Sequence, residues 1–186
     1  MGFKRLLLAL WACSLFLVPC AGATQTIETT PVPLPPKPDF SSMQFLLGTW
    51  SCSTKSSRRP APYISTTTYS MSSDGFWIDE TTVTKPVAWV PQPPTVYDKI
   101  TYDADTKRWI DVTYGGLGTY GLATSPGWTG NTMTWHDANF APGADIKAQT
   151  DVVMTKVSAT KTSQANSFTE ASGRSISVAG TCTKGA

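Results

Sequence analysis

From residue 49 to residue 184 the chain is a succession of short runs rich in Thr, Val, Ile, Tyr and Trp, each bounded by Gly, Pro, Asn, Asp or Ser. No amphipathic helix of ordinary length interrupts them. β-branched and aromatic side chains fit a pleated surface, and the bounding residues supply the backbone angles that reverse a chain. The pattern predicts ten strands, at about 49–55, 63–72, 76–85, 95–103, 108–114, 117–125, 132–139, 146–158, 160–171 and 175–184. Turn chemistry separates them at Ser73-Asp74-Gly75, Asp103-Ala104-Asp105-Thr106, Pro126-Gly127 with Gly130-Asn131, and Ser172-Gly173. Ten consecutive strands without crossover helices join as antiparallel hairpins, and closing the meander so that first and last strands pair removes both open edges. The expected fold is all-β, an up-and-down antiparallel barrel of about ten strands. A two-sheet sandwich is the alternative, although its Greek-key connections call for longer links than most of those here.

Ahead of the strands lie two segments of different character. Lys4 and Arg5 precede an apolar run over 6–18, followed by Pro19, Cys20 and Ala21-Gly22-Ala23, the three-part pattern of a secretory signal peptide ending near Ala23. The run is shorter than the roughly 20 residues that span a bilayer as a helix, so no transmembrane segment is expected in the mature protein. A lipid anchor at Cys20 is disfavoured by the proline before it. Residues 24–39 carry five prolines within 31–38 and read as an extended linker. The barrel domain is then 40–186, opening with a short helical plug over 40–47 that Asp39 or Ser41 can cap. The whole chain has 15 basic and 13 acidic residues; without Lys4 and Arg5 the count is 13 against 13. A near-neutral domain lacks the basic excess of a nucleic-acid footprint.

Export bears on the cysteines. Cys13 and Cys20 leave with the signal peptide, leaving Cys52 and Cys182 in an oxidising compartment, 130 positions apart. Their separation has no metal-ligand spacing, the lone His136 completes no zinc site, and no metal is expected. A Cys52–Cys182 disulfide is the expectation, and it places the first and last strands side by side.

Gly48-Thr49-Trp50 after Phe45-Leu46-Leu47 resembles the opening of lipocalin-like barrels, in which a short plug leads into a Gly-x-Trp first strand. The stretch ITYDADTKRWIDVTY at 100–114, Gly118, and SPGWTGNTMTW at 125–135 resemble an uncharacterised bacterial family of lipocalin-like barrels, related in shape to the nitrobindin and fatty-acid-binding group. The resemblance implies a calycin-type barrel with Trp50 as a structural plug of its floor. Nitrobindin-like members hold haem through a histidine on a late strand. Here His136 precedes the last strands in a different local context, so haem is not carried over and no cofactor is expected.

Barrels of this size enclose room for a small ligand, and inward and outward residues alternate along each strand. Taking the more apolar face of each run as the inner one selects Tyr69, Met71, Ile100, Tyr102, Tyr114, Tyr120, Met133 and Trp135 as ligand-binding candidates, with Ile110, Val112 and Leu122 beside them. The expected interior is apolar with phenolic handles, suited to a small hydrophobic or aromatic molecule. If Trp135 faces inward, His136 faces solvent, and Asp79 with Glu80 read as a solvated strand face. No residue is assigned a catalytic role. The resulting expectation is an exported, periplasmic or secreted, non-catalytic binder of an apolar or amphipathic ligand. Its competitors are a cavity enzyme or haem barrel using His136, and a filled barrel acting as an envelope interaction module.

Overall fold

A computed structural model describes residues 31, 33–116, 118–139 and 146–185. The predicted signal segment and the first part of the proline-rich arm lie outside them. The strands are β1 (Gly48–Ser56), β2 (Tyr63–Met71), β3 (Ile78–Thr84), β4 (Val96–Asp103), β5 (Arg108–Gly115), β6 (Tyr120–Ser125), β7 (Trp128–Thr129), β8 (Thr132–Asn139), β9 (Ile146–Gln149), β10 (Val152–Ser158), β11 (Lys161–Glu170) and β12 (Ser175–Lys184). All described pairings are antiparallel. They run β10-β11-β12-β1-β2-β3-β4-β5-β6-β8, and β10 pairs β8 to close the ring. Ten strands thus form the barrel, while the two-residue β7 pairs only β8 and β9 pairs only β11. The predicted run 146–158 is therefore two strands. The chain leaves the ladder at Thr150, whose hydroxyl accepts from the Ser167 N–H at 2.8 Å, and resumes in β10 further along the same edge of β11.

Closure is made by β1 and β12, with Cys52 opposite Cys182 in the ladder and the two joined by a disulfide. The barrel thereby has its first and last strands adjacent, as the strand count and the cysteine pair predicted.

One end is filled. Before β1 the chain makes a 3-10 turn over Gln44–Leu46, entered through a bend in which the Asp39 carboxylate accepts the Ser41 N–H at 2.8 Å and the Phe40 carbonyl accepts the Met43 N–H at 2.8 Å. Phe40, Met43 and Leu46 are buried there against Ile78, Ile100, Trp109, Met133 and Trp135. Gly48 follows with φ 114°, a conformation in which a Cβ would clash with its own backbone, and a Cβ here would also lie 3.0 Å from the Lys184 side chain. That turn delivers Trp50, 1% exposed, onto the plug, where its indole N–H donates to the Leu46 carbonyl at 2.6 Å. Lys184 caps the same end by donating to the Phe45 carbonyl at 3.0 Å, and lies 5.5 Å from the Trp50 ring centre. The plug and Trp50 are the barrel floor. Among the described residues no helix is long and apolar enough to cross a membrane.

Replacing both Cys52 and Cys182 by Ala should cost about 2–5 kcal/mol of stability, as loss of a native disulfide closing a long loop typically does. Equilibrium urea unfolding of the oxidised wild type and the double variant measures it, and a midpoint unchanged by the substitutions contradicts a stabilising bridge.

Candidate functional site

Residue parity along each strand is anchored by the floor. Because Trp50, Ile78, Ile100 and Trp109 point inward, so do the residues two and four positions away on the same strands. On β1 these are Cys52 and Thr54, and on β2 they are Ser65, Thr67 and Tyr69. On β3 they are Glu80, Thr82 and Thr84, on β4 Asp98 and Val96, and on β5 Asp111 and Thr113. The ladder registers bring them into cross-strand rows: Tyr69 stands opposite Glu80, Glu80 opposite Asp98, and Asp98 opposite Thr113. Above the apolar floor the interior is polar.

The rows line a chamber of about 250 Å³ bounded by Cys52, Thr54, Tyr63, Ser65, Thr67, Tyr69, Glu80, Thr82, Thr84, Val96, Asp98, Gln164 and Cys182. A hydrogen-bonded chain orders one wall. The Thr67 and Thr82 hydroxyls are 2.8 Å apart, Thr82 donates to Glu80 at 3.2 Å, Tyr69 is hydrogen-bonded to Glu80, and Thr113 donates to Asp98. A second cleft of about 370 Å³ lies at the opposite end from the floor, bounded by the 56–63 and 84–96 connections and by Phe168 of β11 and Val178 of β12. Val87, Trp89, Val90, Pro93, Pro94, Phe168 and Val178 give it apolar walls, and Arg58 and Arg59 stand at its rim. Both spaces touch Tyr63, Thr84 and Val96, so chamber and mouth adjoin. Arg58 is held at 2.8 Å by Glu170, a 4% exposed carboxylate that also takes Arg174 at 2.8 Å.

The chamber perturbs its own ionisable groups. Burial raises the Asp98 carboxyl from 3.8 to about 6, against the opposing effect of the Thr113 hydrogen bond. Burial first, then the charges on Asp98 and Asp111, holds Glu80 well above the ordinary carboxyl value. Burial and the adjacent Glu80 and Asp98 likewise push the Tyr69 phenol well up. These side chains keep partial accessibility, and it faces the chamber. Among the described residues that line it there is no lysine or arginine to neutralise them.

The predicted ligand-binding residues separate into groups. Tyr69 lines the chamber. Ile100, Met133 and Trp135 point inward but are buried in the floor, and Tyr102 packs edge-on against Trp109 beside them, ring centres 5.4 Å apart. Met71, at the end of β2, is 38% exposed. Tyr114 and Tyr120 face outward, 44% and 54% exposed, and Tyr114 stacks on Tyr97 with ring centres 5.3 Å apart. Ile110, Val112 and Leu122 share that outer face with them, as their register with the inward Trp109, Asp111 and Ala123 requires. The expected apolar lining is corrected accordingly: the apolar face of β5 and β6 is the outer one, because the inner positions carry the chamber's polar groups. Asp79 and Glu80 divide between the faces, Asp79 pairing outside with Lys99 while Glu80 enters the chamber. His136 points away from Trp135 and pairs at 2.9 Å with Asp151, both half-exposed. The signal that identifies Glu80, Asp98 and Ser65 is their parity with Ile78, Ile100 and Trp50 carried through the ladder, and it is independent of hydropathy.

No protein-family model matches the chain, and no curated protein matches it. Among solved structures, EF1p2_mFAP2b bound to DFHBI is similar with a TM-score of 0.42 at 11% identity, covering 77% of this chain and 97% of that one. A protein with unknown function from the DUF3598 family of Nostoc punctiforme PCC 73102 is similar with a TM-score of 0.41 at 13% identity. That alignment covers 76% of this chain and 48% of the Nostoc protein, so the chain spans about half its length.

An acid whose folded pKa is raised is easier to ionise in the unfolded chain, so its burial costs nothing below the unfolded value and weakens folding as pH rises through the folded one. For Asp98 the interval is 3.8 to about 6. Asp98→Asn keeps an acceptor for Thr113 and removes the ionisation. The variant should be more stable than wild type at about pH 8, by on the order of 1–3 kcal/mol, with the difference vanishing near pH 4. Urea midpoints at both pH values check it, and a variant less stable at pH 8 contradicts the assignment.

Proposed function

We propose that the protein is an exported, lipocalin-like barrel that binds a small amphipathic molecule, its polar part in the chamber and its apolar part at the mouth. The observation that carries this reading is the adjoining pair of spaces: a polar chamber whose wall is ordered by hydrogen bonds, sharing Tyr63, Thr84 and Val96 with an apolar cleft. Ligand sites are concave, with apolar walls and a few convergent polar groups that fix orientation, and this arrangement meets that description at one end of a barrel whose other end is filled. The interior that a purely hydrophobic ligand would favour is absent from the chamber walls, and the expected class, apolar or amphipathic, narrows to amphipathic for that reason. Export rests on the signal-peptide pattern of residues 1–23 and accords with a disulfide between Cys52 and Cys182. His136, outside the chamber and paired with Asp151, has no part in the site as proposed.

Native mass spectrometry of the protein from its own exported fraction, compared with its denatured mass, should reveal a bound species. Ser65→Phe places a ring in the chamber beside Cys52 and away from the floor, and should abolish that extra mass while the variant retains the disulfide and a cooperative urea transition. A bound species that persists in Ser65→Phe, or an exported wild type that carries no extra mass and takes up no amphiphile when challenged, overturns the proposal.

A further inference from the structure

The chamber's chemistry narrows the ligand class further, in an inference that rests on the binding function proposed above. Two carboxylates, Glu80 and Asp98, face each other across adjacent strands in a space with no lysine or arginine among its described lining residues. The other titratable groups around this space are Tyr63 and Tyr69 from β2 and Asp111 from β5, all of them neutral or acidic; the β1 and β11 sides present Thr54 and Gln164. Every ionic influence on this space is therefore negative. The rim arginines do not alter this, since neither Arg58 nor Arg59 lines the chamber and Arg58 is held by Glu170. Ser65, 5% exposed, also stands on the chamber wall. No group of three or more His, Cys, Asp or Glu among the described residues converges to hold a metal ion. A dispersed negative field with hydroxyls around it suits a larger cation.

We propose that the barrel takes an amphipathic organic cation head first, its ammonium group seated between Glu80 and Asp98 and its apolar body lying along Val87, Trp89 and Phe168 at the mouth. Two of the ammonium's three donors satisfy the carboxylates and the third is left for water or a further acceptor on the chamber wall. The apolar body displaces water from the mouth. A cation seated there favours the ionised carboxylates, so binding strengthens as pH rises through the titration of Asp98 and releases protons when it occurs below it.

Isothermal titration calorimetry of the disulfide-bonded protein with 4-phenylbutylamine, 4-phenylbutanol and 4-phenylbutyrate separates head group from body. At about pH 8 the amine should bind at least roughly tenfold tighter than the alcohol, and the carboxylate weakest of the three. That advantage should shrink toward about pH 5, and the double variant Glu80→Gln, Asp98→Asn, its folding verified by a urea transition, should bring it below roughly threefold. An alcohol or carboxylate that binds as tightly as the amine, or an amine advantage that survives the double variant, overturns the cation assignment and leaves the binding function standing. Failure of all three probes to bind a protein whose exported form carries no ligand mass overturns both.

Discussion

The interior of the barrel depends on the register in which β12 meets β1. Cys52 stands opposite Cys182 and is bonded to it, so these two strands cannot slide past one another. Because side chains alternate across a strand, a slip of one residue would carry Trp50 out of the floor and turn Cys52 and Thr54 to solvent. The same register is handed on around the sheet. Gly48 fixes Tyr69, Tyr69 fixes Glu80, Glu80 fixes Asp98, and Asp98 fixes Thr113. One covalent bond at the seam thus determines which carboxylates meet inside, several strands away.

The two halves of the interior then do opposite things for stability. The floor buries Trp50, Met43, Ile78 and Met133 almost completely, and its packing supplies the apolar burial a domain of this size needs. The chamber buries carboxyl groups and hydroxyls, which a filled aliphatic barrel would not need, and a well-packed hydrophobic replacement of such groups is often neutral or stabilising. Nothing about folding requires Glu80, Asp98 and Asp111 to face inward together. The raised Asp98 and Glu80 carboxyls are the physical record of that cost, which the floor and the disulfide offset.

Much of the fold was legible in the sequence because its signals are local. Strand runs, turn residues and the plug over 40–47 are read from neighbours in the chain, and closure followed from counting strands and cysteines. The outward His136 also followed from the sequence, needing only its parity with the inward Trp135. The site was not legible by the same means. Assigning the apolar face of each run to the interior works at the floor, where Ile100, Met133 and Trp135 do point inward, and fails above it. On β5 that assignment chooses Ile110, Val112 and Tyr114 over Trp109, Asp111 and Thr113, because three apolar residues outweigh one. In the structure Trp109 is buried and the other set faces out. Hydropathy is a guide to the inner face only when the inside is apolar throughout. The split of 146–158 into β9 and β10 was missed for a related reason: both pieces have strand composition, and only the long-range pairing of Thr150 with Ser167 distinguishes a break from a bend.

A chamber of this kind also links occupancy to stability in a definite direction. In the empty protein the carboxyls compete for protons and hold part of the destabilisation that their burial creates. A purely apolar guest would strip water from them without giving anything in return, and so would bind poorly however well it fitted. A guest that donates hydrogen bonds or carries positive charge relieves the same groups, and because it binds only the folded chain it stabilises by mass action as well. The residues that make the empty barrel less stable are therefore the ones through which a ligand makes it more so. On the binding function proposed above, selectivity among amphiphiles of similar size would lie with the head group in the chamber, while the apolar mouth would contribute affinity with little discrimination of length.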